Sequence, residues 1–194
     1  MIEHPLSKEE KQTLLKVARE SIGSIVARHK LLKLNIEDYS ETLQQVGASF
    51  VTLTKYGDLR GCIGTLEPYQ ALVQDVCEHA AAAAVEDYRF APVSPDELDD
   101  LTIEVSRLTI PKPLTYGTPS EIPLLLRPGI DGVVLRDGIR KATFLPQVWK
   151  KIPEPEKFLN HLCWKMGLPG DYWQSKRLDV LIYQVEEFSE KDFS

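Results

Sequence analysis

The chain has 194 residues, is 43% hydrophobic and 27% charged, and carries a formal net charge of −6 at pH 7. A chain of that length buries about 70% of its unfolded surface, enough for one domain or two small packed lobes. The acidic balance lacks the clustered lysine and arginine of unspecific nucleic-acid binding, and three cysteines without a paired spacing argue against a disulfide scaffold or a thiolate zinc site.

From the amino terminus, MIEHPLSKEEKQ has no apolar signal core, and no apolar run approaches the ~18 residues of a membrane span, so a soluble cytoplasmic protein is expected. Ser7 and Glu10 form a capping box, and Leu14, Leu15, Val17, Ala18, Ile22, Ile25 and Val26 recur at helical spacing up to about His29. Residues 30–40 read as a connector packed partly on the body. Residues 49–55, rich in β-branched and aromatic types, read as a strand, and Gly57-Asp58 supplies turn chemistry for a hairpin into a second strand, Leu59–Thr65.

After Pro68, residues 69–86 carry an apolar helical stripe whose alanines suit close packing on a sheet. Ser94-Pro95-Asp96-Glu97 starts a short helical turn. Residues 101–108 alternate cleanly as a strand with Glu104 on its polar face. Residues 119–126 suit a short helix, and a strand at 133–135 precedes a second tight hairpin at Asp137-Gly138. The return strand, 139–144, runs into a short helix at 147–149; a longer helix spans 155–166, stopped by Gly167 and Pro169, and 178–188 reads as one closing strand. Tight hairpins outnumber crossover-length connections, which predicts an α+β fold with mostly antiparallel sheet.

Local rules are broken most densely in Leu59-Arg60-Gly61-Cys62-Ile63-Gly64-Thr65, a strand with two glycines around a cysteine. Each glycine weakens a strand by roughly 0.5–1 kcal/mol, so the pair predicts a close approach to the backbone by a ligand or another element. Strict alternation puts Arg60, Cys62 and Gly64 on one face. A cation beside a cysteine favours the thiolate, which makes Cys62 a candidate nucleophile. A two-residue turn at Gly57-Asp58 would instead set Cys62 opposite Leu53 as a packed apolar residue, and that reading stands beside the first.

LRGCIGT resembles the signature of the AMMECR-one domain family, and further resemblances follow in order: Asp87-Tyr88-Arg89-Phe90-Ala91-Pro92, Ile103-Glu104-Val105-Ser106, Ala142-Thr143-Phe144-Leu145-Pro146-Gln147-Val148 and Cys163-Trp164-Lys165-Met166-Gly167-Leu168-Pro169. They span nearly the whole chain. The resemblance implies a single domain of two intimately packed lobes, larger and smaller, and no particular reaction. In prokaryotes the family occurs beside a radical-SAM protein and a Memo-like protein, which implies a shared modification pathway and those two partners.

Set among apolar neighbours, Glu104 must be solvated, paired with an arginine, or functional. Asp87 and Arg89 either pair with each other at a helix end or line a site. Asp131 stands where some family members carry histidine, and Thr143 either faces a cleft or satisfies a backbone group. The four histidines show no metal spacing, and phosphate-loop, dinucleotide, zincin and nucleophile-elbow motifs are absent from the sequence, so neither metal nor cofactor is expected. The leading expectation is a cleft beside Leu59–Thr65 that binds a small molecule, modified nucleotide or peptide. Cys62 and Glu104 are its candidate catalytic groups, and Arg60, Gly61, Gly64, Asp87, Arg89, Asp131 and Thr143 its candidate ligand contacts. The alternative is a non-catalytic adaptor whose signature strand serves a partner protein or holds the lobes together.

Overall fold

Ser7 caps helix α1 (Lys8–Arg28) as its sequence requires: its hydroxyl accepts from the Glu10 amide at 3.1 Å, and the Glu10 carboxylate accepts from the Ser7 amide at 2.8 Å. The computed structural model describes residues 5–193, so His4 lies outside the described residues. The chain forms two units, one running to Leu108 and resuming at Glu186, the other Thr109–Val185.

In the first unit, α1 and the connector lead through α2 (Glu41–Gln44) into β1 (Val46–Lys55) and β2 (Asp58–Gly64). A short β3 (Gln70–Ala71) precedes α3 (Leu72–Val85), and a 3-10 turn at Pro95–Asp100 precedes β4 (Leu101–Leu108). One sheet face, with Val51, Leu53, Ile103 and Val105, packs on Leu14 and Ile22 of α1 and Val73, Val76 and Ala80 of α3, all fully buried. Each such Val, Leu or Ile contributes roughly 1.5–3 kcal/mol. The connector is part of this body, because Leu32, Leu34 and Ile36 pack on the same core.

Two turn assignments move by one residue. The first hairpin turns at Tyr56-Gly57, both at positive φ (54° and 95°), so Asp58 already pairs with Lys55 in β2. The second hairpin turns at Gly138-Ile139, after Asp137 has paired with Arg140. The helix read over residues 69–86 starts later, at Leu72, because Gln70 and Ala71 pair with Gly47 and Val46.

The second unit contains β5 (Lys112–Pro113), α4 (Ile122–Leu125), β6 (Gly132–Asp137), β7 (Arg140–Phe144), α5 (Pro155–Lys165), α6 (Tyr172–Ser175) and β8 (Asp179–Tyr183). Its sheet has the order β5-β8-β6-β7. The core centres on Phe158, whose ring stacks on Trp149 at 3.7 Å between centroids and meets Phe144 edge-on at 5.3 Å. The closing segment is two strands rather than one. β8 lies in the second sheet, and β9 (Val185–Ser189) joins the first beside β4, giving the order β2-β1-β4-β9 with β3 also on β1. Gln184 is the break, its amide accepted by the Thr109 hydroxyl at 2.8 Å. Helices and hairpin-linked strands together make an α+β fold.

Candidate functional site

The register of β2 on β1 shifts between Leu53 and Thr54, leaving Arg60 with no partner across the ladder. This bulge interrupts the alternation that sequence spacing assumes. From the Lys55–Asp58 pair an unbroken ladder would set Cys62 opposite Val51, on the Leu53 side; with the bulge it stands opposite Thr52, and Thr52 in turn stands opposite Glu104 of β4. Cys62, Thr52 and Glu104 form a cross-strand row on the sheet face turned away from the helices, and all three are half-buried. The Thr52 hydroxyl lies 3.3 Å from the Cys62 sulfur.

Glu104 is the unsatisfied member of this row, with no hydrogen bond or ion pair among the described residues; the arginine partner that its setting suggested is not there. Burial pushes its carboxyl above the ordinary range, and Glu187 and Asp192 push it further by like charge.

Arg60 is not the cation beside the thiol. Its Nε and Nη2 hold the Glu97 carboxylate at 3.0 and 2.9 Å, and Nη1 and Nη2 donate to the carbonyls of Ala91 and Pro92. That hydrogen-bonded guanidinium in turn holds the Glu97 carboxyl far below the carboxylate range. The cation that touches Cys62 is Arg89, whose Nη2 donates to the Cys62 carbonyl at 3.3 Å. Asp87 accepts from the Cys62 amide at 2.9 Å and from Arg89 Nε at 2.8 Å and Nη2 at 2.6 Å, and Arg89 holds its carboxyl well below the usual range. Asp87 and Arg89 thus pair with each other and cover the outer edge of β2, which would otherwise present bare N–H and C=O groups.

Gly61 and Gly64 both answer to packing. A Cβ at Gly61 would collide with the Ala83 carbonyl of α3, and one at Gly64 with the Phe50 ring and the Ser49 carbonyl. Asp131 and Thr143 belong to the second unit. Asp131 is fully buried and accepts from the Arg127 backbone amide, Nε and Nη2, while the Thr143 hydroxyl lies 3.1 Å from the Tyr183 hydroxyl, whose pKa burial pushes up to about 12. The structure therefore brings Cys62, Glu104, Asp87 and Arg89 together within the first unit, with Arg60 turned to a structural pair. Among the described residues no group of His, Cys, Asp and Glu side chains is arranged to hold a metal ion, and no helix is long and apolar enough to cross a membrane.

The sequence reading missed two elements of this region. Thr52 completes the row, but nothing distinguishes it within an ordinary strand until the bulge fixes the register. Behind the sheet, the Ser49 hydroxyl donates to Asp75 at 2.6 Å and His79 Nδ1 lies 3.1 Å from the same carboxylate oxygen, tying β1 to α3. The i, i+4 spacing of Asp75 and His79 was the available signal.

The AMMECR1 family model matches residues 15–188 of this chain. The chain belongs to the AMMECR1 family. A protein of Methanothermobacter thermautotrophicus is 41% identical over 191 residues, covering 96% of this chain and 97% of the relative. Protein MJ0810 of Methanocaldococcus jannaschii is 35% identical, with 95% and 92% covered. Among solved structures, the crystal structure of PH0010 from Pyrococcus horikoshii matches with a TM-score of 0.80 at 35% identity, covering 96% of this chain and 94% of that one. This AMMECR1 member thus shares its α+β architecture with an archaeal relative over nearly its full length.

Proposed function

We propose that the Cys62–Thr52–Glu104 row is a ligand site of the first unit, with Cys62 as its reactive thiol and Glu104 as its proton-exchanging group. The observation that carries this reading is the unpaired Glu104 carboxyl, desolvated on the same sheet face as a free thiol. A half-buried carboxyl with a raised pKa, near a thiol and a hydroxyl, suits proton transfer to or from a small molecule, modified nucleotide or peptide. Arg89, paired to Asp87 with its side chain 45% exposed, lies beside the same strand. A modification pathway shared with radical-SAM and Memo-like proteins, in the cytoplasm, is the setting this reading assumes.

A second reading, the non-catalytic adaptor, has its own support. Arg60, Gly61, Gly64, Asp87 and part of Arg89 are all accounted for by packing and edge closure, so most of the signature serves the fold. Beside them Tyr88 is 95% exposed, an aromatic residue open to a protein partner. Metabolite capture by wild type, Cys62→Ser and Glu104→Gln tests the two. The ligand-site reading expects a specific small species lost in both variants. Capture of no small species, or of one retained by both, overturns it in favour of the adaptor.

A further inference from the structure

The second unit holds a cavity of about 280 Å³ that the Cys62 row does not use, where β5 and β8 meet the loop before Thr118. Its lining includes Arg136, Arg177, Asp179, Tyr116, Leu114 and Leu181. The volume falls just under the roughly 300–1,000 Å³ of drug-sized ligand pockets, which limits an occupant to a small metabolite.

Most of the polar groups here are already spent. The Tyr116 hydroxyl donates to the Leu178 carbonyl at 2.6 Å and accepts from the Leu178 amide at 3.0 Å, so this residue offers only its ring. Arg177 lies over that ring at 4.9 Å and gives Nη1 and Nη2 to the carbonyls of Gly117 and Tyr116, which fixes its guanidinium while leaving Nε–H unused. Two charged groups remain uncommitted. Among the described residues neither the Arg136 guanidinium nor the Asp179 carboxylate has a hydrogen bond or ion pair. Yet these two residues stand directly opposite each other in the β6–β8 ladder, so their side chains rise from one face at neighbouring positions.

We propose that this cavity binds a small zwitterion of the α-amino acid class with an apolar side chain. Its carboxylate is held by Arg136 and the anchored Arg177, its ammonium by Asp179, and its apolar chain by Leu114, Leu181 and the Tyr116 ring. A plain anion satisfies the arginines but leaves Asp179 facing like charge, and a plain amine does the reverse. A molecule with both charges on one carbon meets an arginine and an aspartate that start from opposed ladder positions.

Titration calorimetry of the full chain against L-leucine, 4-methylpentanoate, 3-methylbutylamine and inorganic phosphate tests the assignment. L-leucine is expected to bind saturably and at least tenfold more tightly than either single-charge analogue, with Arg136→Gln and Asp179→Asn each weakening it by about tenfold or more. Both positions are exposed on strands, so unchanged melting of each variant shows that lost binding is not lost folding. Absence of leucine binding, equal binding of 4-methylpentanoate, binding of phosphate alone, or binding insensitive to both substitutions overturns it.

Discussion

Cys62 differs from the other thiols in its surroundings more than in its chemistry. Cys77 and Cys163 are fully buried and their thiols are pushed up by that burial, whereas Cys62 is half-buried on the sheet's polar face. Iodoacetamide near pH 7 is therefore expected to label Cys62 in the folded protein, with Cys77 and Cys163 labelled only after denaturant. Peptide mass spectrometry reads the order directly, and protection of Cys62 until unfolding would remove the thiol from any mechanism. Because the Arg60 guanidinium is committed to Glu97, Ala91 and Pro92, Arg60→Ala should lower stability by roughly 1–2 kcal/mol, the scale of a lost charged hydrogen-bond set. Glu104 acts in the opposite sense. Its folded pKa is raised, so its charged form opposes folding at neutral pH, and Glu104→Gln is expected to raise the melting temperature near pH 7. The gain should shrink as the pH falls through the raised pKa and wild-type Glu104 protonates. A variant no more stable than wild type at neutral pH would show that the carboxyl is solvated rather than penalised.

At the scale of elements, strand β2 is shaped by what crosses it. Strand β2 lies against α3 so closely that Gly61 meets the Ala83 carbonyl, and the alanine run from Ala80 to Ala84 is what lets the helix approach. On the other face, the Phe50 ring occupies the space over Gly64. Gly61→Ala and Gly64→Ala each overfill a packed contact made partly with backbone, which cannot swing aside, and each should cost about 1–3 kcal/mol. Denaturant titration at constant m-value checks this, and two variants of wild-type stability would mean that the helix and strand yield more readily than their packing implies. The bulge at Arg60 has its own role in this arrangement. By adding one residue to β2 it moves Cys62 from the side of Leu53 to the side of Thr52 and Glu104.

For the whole molecule, stability against acid follows from paired carboxylates. Asp87 and Glu97 both ionise at lower pH in the folded chain than in the unfolded chain, each through hydrogen bonds to an arginine. The stabilisation they give is complete above the ordinary carboxylate range near pH 4 and is lost progressively below it, as pH falls toward their lowered folded pKa values. Melting temperature is thus expected to hold from neutral pH down to about pH 5 and to drop below about pH 4. Asp87→Asn and Glu97→Gln should be less stable than wild type at neutral pH and show a shallower acid decline. An unchanged slope in both would place acid sensitivity elsewhere.

Local chemistry in the sequence determined a good deal of this protein. The Ser7–Glu10 capping box, the stripe from Leu14 to Val26, the alternation of residues 101–108 and the turn glycines are short-range signals, and each is found in the structure because its cause lies within a few residues. The resemblance read in the sequence likewise pointed to the family that the match over residues 15–188 shows. What only the tertiary structure decided depends on partners far along the chain. The face on which Cys62 stands depends on one unpaired residue in a ladder with β1, and the carbonyls that take up Arg60 come from residues 91 and 92. The closing segment shows the same limit most plainly: residues 178–188 are apolar enough to read as one strand, yet β8 and β9 pair in different sheets, because hydrophobicity specifies burial while hydrogen-bonding partners specify where.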